Sequence, residues 1–247
     1  MKNSIISLAY AAVLATTFGG ILEAPAFAHP TPRAASTTNV AYAKKLSPYY
    51  SSRAFEEQVQ VYFNNEDYRG LYEFCTKAIE NNNRNADAYY FRAVSTFMMG
   101  GETNLVISDL SAAISLEPGF VEALKARAGV YSSMKQPASA VPDLKTVLSM
   151  EPQNVDVVIA LVSNHYDMGD LKSAIEDCSY WISLSPFEPS AYYVRGLIFI
   201  ELDNKVAALS DLETAHKLLT AQNRPEEAQK VQVLISTLKS DQGGGAS

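Results

Sequence analysis

The phrases LEPGF, MEPQN and LSPFE place Pro118, Pro152 and Pro186 at intervals of 34 residues, and Asp109, Asp143, Asp177 and Asp211 keep the same interval. A fixed period of this size is the signature of a chain built from stacked supersecondary units. Each unit carries an apolar helical stretch, a turn such as MGD or LDN, and a second helical stretch such as SAIEDCSYWISL. Proline has no N–H to give to a helix, and its ring clashes with the preceding turn. Each proline therefore stops a second helix, and the spacing predicts an array of helical hairpins. A single hairpin cannot bury its apolar stripe alone; stacking on its neighbours supplies the missing cover.

The stretch AYYVRGLIFIELDNKVAALSDLETAHKL resembles the unit of the tetratricopeptide repeat family. Tyr192 stands at the large aromatic position, Gly196 at the small position where helices cross, Phe199 one turn on, and Ala208 and Ala215 on the second helix. The resemblance implies an all-α fold, a right-handed α-solenoid of about five helix-turn-helix repeats with a C-terminal capping helix. Five units can be laid out over residues 52–222, as 52–85, 86–120, 121–154, 155–188 and 189–222. The second holds one extra residue in MMGGETN. Residues 223–240 place Ala228, Val231, Leu234, Ile235 and Leu238 at helical spacing, as a helix covering the last repeat would.

Equivalent positions support stacking. Leu110, Leu144 and Leu212 share one row with Cys75 and Cys178, and Ile79, Ile114, Leu148 and Ile182 share another. Trp181 stands where Ala78, Ala113 and Ala215 stand in other repeats, and Val162 occupies a site that is Ala or Gly in repeats two, three and five. Pro142 falls inside the second helix of the third repeat, although a missing N–H is harmless only in a first turn. A late-starting helix capped by Ser139 is expected there.

The two ends read differently. Lys2 precedes an apolar run from Ile5 to Leu22, and Ala26 and Ala28 follow at the small positions a signal peptidase accepts. Residues 1–28 are thus expected to be a signal peptide, residues 29–51 a flexible leader rich in Pro, Thr, Ser and Ala, and residues 241–247 a glycine-rich tail. The mature chain is expected outside the cytoplasm, in a periplasm, a lumen or the surrounding medium. Its net charge of −7 argues against nucleic acid, whose binding draws on clustered lysines and arginines. No stable membrane insertion is expected after cleavage.

Catalytic chemistry finds little support. Cys75 and Cys178 hold equivalent core positions three repeats apart, too far for a disulfide, and are expected to be buried thiols. The three histidines, His29, His165 and His216, do not cluster. Asp167 and Asp170 around Gly169 read as turn and capping residues. No phosphate-binding glycine loop, nucleophile elbow or paired catalytic carboxylates are found, and neither a cofactor nor a metal is expected. Arg92, Arg127 and Arg195 share the seventh position of their repeats, each of which also carries one of the periodic aspartates. They read either as structural ion pairs or as a ligand-binding ladder. Leu161 replaces the arginine in repeat four, which leaves Asp177 to reach Arg195 or face water.

The family resemblance implies that first helices line a concave surface where ligands lie. Carried over by position, its lining is Tyr90, Val94 and Phe97; Lys125, Gly129 and Ser132; Ile159, Ser163 and Tyr166; and Tyr193, Leu197 and Ile200, edged by Asp87, Glu122 and Asp156. So many aromatic and aliphatic residues on one face suit a protein or peptide partner with apolar anchors and some positive charge. The chain's own leader, with Tyr42, Tyr49 and Tyr50, is a competing occupant. The resulting reading is a non-enzymatic, exported scaffold, an adaptor or assembly factor. A carrier of an apolar small molecule or lipid, and a subunit of an enzyme complex, remain alternatives.

Overall fold

The structure, a computed structural model, describes residues 53–240. The expected signal peptide, leader and glycine-rich tail lie outside the described residues. Those described form eleven α-helices and no strand, in two compact units. Residues 53–150 hold α1 (Arg53–Asn64), α2 (Tyr68–Asn81), α3 (Ala86–Met98), α4 (Thr103–Leu116), α5 (Val121–Ser133) and α6 (Pro137–Met150). Residues 151–240 hold α7 (Val155–Asp167), α8 (Leu171–Leu184), α9 (Pro189–Glu201), α10 (Lys205–Ala221) and α11 (Pro225–Ser240).

The periodic prolines mark the hairpin exits. The helices α4, α6 and α8 end at Leu116, Met150 and Leu184, each two residues before Pro118, Pro152 or Pro186. Within the hairpins, one turn geometry recurs. Glu66, Gly100, Lys135, Gly169 and Asp203 all adopt positive φ, from 54° to 73°. In each turn the next residue's N–H reaches back five residues: Asp67 to Tyr62, Gly101 to Thr96, Gln136 to Tyr131, Asp170 to His165, and Asn204 to Phe199, at 2.8 to 3.0 Å. Helix ends leave carbonyls without partners, and this left-handed closure satisfies them. Asn223 at φ 56° repeats the device before α11, with Arg224 N–H on the Leu219 carbonyl at 2.9 Å.

Polar side chains fix the helix starts. Asn85 and Asn154 accept from the N–H groups of Ala88 and Val157, and Asp170 and Asn204 from those of Ser173 and Ala207. Asp170 is therefore a capping residue, as the turn sequence predicts. Pro137 and Pro189 sit at first helical positions, where a missing N–H costs nothing.

The third hairpin corrects one expectation. The α6 helix is continuous from Pro137 through Pro142 and does not begin late at Ser139. The bond lost at Pro142 would have used the carbonyl of Ala138, an exposed residue whose carbonyl water can serve. Pro142 is itself exposed, so its ring displaces no core neighbour. Instead of capping a later start, Ser139 gives its backbone N–H to the Gln136 carbonyl in the first turn.

Each unit has its own apolar interior. In residues 53–150, Leu71, Cys75, Phe91, Val106, Leu110 and Ala113 are almost wholly buried. An aromatic group adds to them, with Phe55 stacked on Phe74 at 5.2 Å and Phe63 edge-on to Phe91 at 5.9 Å. In residues 151–240, Ala208, Leu212 and Leu219 of α10 bury against Val231, Ile235 and Leu238 of α11. The final helix thus covers apolar surface that α10 would otherwise expose. Burial of each such side chain contributes roughly 1.5–3 kcal/mol. Trp181 fills the place of the smaller alanines with only 1% exposure, and Val162 is fully buried.

Candidate functional site

Three arginines on first helices decide whether their row binds ligand or holds the hairpins. Arg92 Nε and Nη2 clasp both oxygens of Asp109 at 2.8 and 2.7 Å. Arg127 clasps Asp143, and Arg195 clasps Asp211, with all four bonds at 2.8 Å. Each pair joins the two helices of one hairpin. The remaining Nη1 of Arg127 donates to Ser111 Oγ, and that of Arg195 to Ser179 Oγ, both at 2.9 Å. Ser111 and Ser179 lie on the second helix of the preceding hairpin. In Arg127 and Arg195 the guanidinium therefore ties three helices together, with all three of its nitrogens engaged. These are structural ion pairs, and their planar, two-bond geometry makes them strong ones.

The serines escaped the sequence reading, although a signal existed. Ser111 and Ser179 occupy equivalent positions one hairpin ahead of Arg127 and Arg195. Ahead of Arg92 the position is Thr76, whose hydroxyl donates to the Tyr72 carbonyl at 2.8 Å. Arg92 instead lies over the Tyr89 ring at 5.6 Å. Ahead of Leu161, where no arginine needs a partner, the position is Lys145.

Repeat four solves its missing arginine locally. Asp177 meets His165 Nδ1 at 2.6 Å, and both residues belong to the same hairpin. The expected reach to Arg195 does not occur, because Asp211 and Ser179 engage that guanidinium. A carboxylate can only accept, so Nδ1 is the donor. His165 is almost wholly buried and His216 half-buried. Among the described residues no three His, Cys, Asp or Glu side chains group to hold a metal. Cys75 and Cys178 are free and buried, and burial pushes both thiols up from their ordinary range.

The first-helix face divides on inspection. Tyr90, Val94, Ile159 and Leu197 are buried, with 5% exposure or less. They serve packing, which corrects their expected place on an open surface. The Tyr90 ring lies 5.1 Å from both Phe91 and Phe120. Asp87 is also fully buried, so it does not edge an open face. An aliphatic or aromatic group on a partly enclosed face loses water contact by lying against its neighbours, and sequence position does not reveal that choice.

The half-buried remainder is what each unit can offer. In residues 53–150 these are Phe97, Lys125, Gly129 and Ser132, with Glu122 beside them. In residues 151–240 they are Ser163, Tyr166, Tyr193 and Ile200, with Asp156 exposed. Burial raises the Tyr193 phenol above its usual range. Tyr166 O–H donates to Glu201 Oε2 at 2.9 Å, tying the ends of α7 and α9. Burial first, and the Glu201 carboxylate second, push that phenol up to about 12, so it remains a donor at neutral pH.

Comparison with known proteins agrees with the helical hairpins. The family described as the ETO1 C-terminal domain matches residues 38–196. No curated protein sequence matches the chain. Among solved structures, one titled as a crystal structure of MamA protein is 17% identical, covers 69% of this chain and 93% of its own, and superposes with a TM-score of 0.61. MamA 41-end from Desulfovibrio magneticus RS-1 is 15% identical, covers 69% and 96%, and gives 0.58. YrrB, titled a TPR protein with an unusual peptide-binding site, is 16% identical, covers 73% and 92%, and gives 0.61. At such identities the likeness shows the fold, an all-α tetratricopeptide-type arrangement.

Proposed function

The chain belongs to the ETO1 C-terminal domain family, and from that premise we propose that it is a non-catalytic, exported scaffold holding a protein or peptide partner. It acts as an adaptor or assembly factor. The carrying observation is the division of its first-helix residues. The arginines, Tyr90, Val94, Ile159 and Leu197 have structural duties, whereas Phe97, Lys125 and Ser132 in one unit and Ser163, Tyr193 and Ile200 in the other stay partly open. Partly open aromatic and aliphatic groups beside polar ones match the composition of protein-binding surfaces. The peptide-binding site named for YrrB gives the reading a precedent on the same fold. Export rests on Lys2, the apolar run from Ile5 to Leu22, and the small residues Ala26 and Ala28.

The partner suited to these faces carries apolar anchors and some positive charge, because Glu122 and Asp156 stand at their edges and the net charge is −7. Affinity capture from the native compartment tests the reading. Wild-type chain is expected to retain a protein that the Asp156→Lys, Tyr193→Ala variant loses, with both chains equally folded. Recovery of an apolar small molecule without protein, or undiminished capture by the variant, would overturn it.

A further inference from the structure

The combination of apolar and acidic groups expected of the first-helix face is found more strongly on another edge. Where each first helix ends, the four later hairpins place Met99, Met134, Met168 and Leu202 at one equivalent position. In residues 151–240 both members are open, Met168 at 46% and Leu202 at 49% exposure, and Val206 in the first turn of α10 reaches 79%. The Tyr166–Glu201 hydrogen bond at 2.9 Å ties these two hairpin tips together. Around them stand Asp167, Glu201 and Asp203, all exposed. Arg195 is held by Asp211, Arg224 by Glu227 and Lys239 by Glu213, which leaves Lys205 in the first turn of α10, with Lys172 at the start of α8, as the cations at this edge.

The two methionine-bearing hairpin tips of residues 53–150 carry less of this charge, and the first tip, with Glu66 and Asp67, has no methionine or leucine at the equivalent position. The turns after the two methionines read Gly100-Gly101-Glu102 and Lys135-Gln136. The left-handed closure is common to all these tips, so it does not require acids in the last two. It does hold their backbone fixed, which lowers the ordering cost of any contact made there.

We propose that the tip edge of residues 151–240 is a second docking surface, for a basic amphipathic segment of a protein partner. Met168, Leu202 and Val206 would receive its apolar side chains, and Asp167, Glu201 and Asp203 its lysines or arginines. Charge complementarity selects this occupant: with Asp170, the carboxylates of Asp167, Glu201 and Asp203 outnumber Lys172 and Lys205 at this edge, so a basic segment gains and an acidic one meets like charge. The surface takes the ends of α7 and α9 and the start of α10 rather than the face residues Ser163, Tyr193 and Ile200, and does not depend on their reading.

The test uses the full chain and two fluorescent helix-forming peptides, one of leucine and lysine and one in which glutamate replaces every lysine. The lysine peptide is expected to bind, more tightly at low ionic strength, and the glutamate peptide is not. Asp167→Lys with Asp203→Asn, which keeps a residue suited to the left-handed φ, and separately Met168→Ser with Leu202→Ser, should each weaken binding about tenfold or more. The thermal midpoint should not move, since all four residues are exposed. Met99→Ser with Glu102→Lys in the other unit, and Asp156→Lys with Tyr193→Ala on the first-helix faces, should leave the peptide affinity unchanged. Equal binding of both peptides, or an affinity insensitive to the tip variants, would overturn the proposal. Loss of binding only in the first-helix variant would overturn it too, while leaving the scaffold reading intact.

Discussion

Replacing Arg127 by methionine keeps much of the side-chain volume but removes every partner that the buried ends of Asp143 and Ser111 have in it. Arg127 supplies two bonds to Asp143 and one to Ser111, and the Asp143 side chain is only 7% exposed. A carboxylate left inside without its cation costs about 3–5 kcal/mol. The Arg127 side chain itself is 20% exposed, so some water reaches the pair and the lower end applies. Arg127→Met should therefore cost about 3 kcal/mol, which lowers the melting midpoint of a unit this size by roughly 12–24 °C. Adding Asp143→Leu removes the stranded charge along with its partner. The double variant should return to within about 1 kcal/mol of wild type, because a well-packed apolar pair replaces a buried ion pair at little loss. Urea unfolding of the four chains, followed by circular dichroism, supplies the cycle. If Arg127→Met loses less than about 1 kcal/mol, or the double variant is as unstable as the single, the pair is not the staple described.

Other consequences can be checked separately. Cys75 and Cys178 should resist a thiol reagent at mildly alkaline pH in the folded chain and both react after denaturation, since burial keeps them protonated; rapid labelling of either in the native state would contradict their packing. Lys135 holds a left-handed φ of 59° that glycine adopts freely, so Lys135→Gly should stabilise by about 0.5–1 kcal/mol despite the added freedom of the unfolded chain. A drop in melting midpoint would contradict the turn geometry. A β-carbon at Gly196 would stand 3.1 Å from Leu212 Cγ and 3.4 Å from the Ala208 carbonyl, so Gly196→Leu should cost about 1–3 kcal/mol; a neutral result would mean that α9 and α10 pack less closely.

The hairpin array was legible because its causes are local and repeated. Prolines at an even interval, a turn of fixed length and apolar residues at helical spacing all act within one unit, and five copies make their agreement visible. The arginine–aspartate pairs were legible for a similar reason, since both partners recur in step. Reading failed where a single repeat departs from the rest. The missing arginine in repeat four suggested that Asp177 would look outward, but His165 one turn beyond Leu161 reaches it. Pro142 looked like a helix start because its cost was judged from the lost bond alone; Ala138, whose carbonyl loses that bond, is an exposed residue, and water can take the bond's place.

The first-helix face shows a further limit of position. Residues at one place in successive repeats need not share an environment: Tyr90 and Ile159 are buried, whereas Tyr193 stays half-open. Burial is set by the three-dimensional neighbours of each residue, which a one-dimensional period does not carry. The serines that complete the arginine staples were hidden in the same way, because serine is common on helix surfaces and only its pairing with a later arginine distinguishes it.

The claim that first helices present the partner-binding surface is tested most directly by photo-crosslinking in the native compartment. A photoreactive amino acid placed at Ser132 or Ser163, both half-buried on first helices, should capture the partner, and one at Glu213 on the exposed side of α10 should not. Capture from Glu213 alone, or from none of the three, would contradict the account.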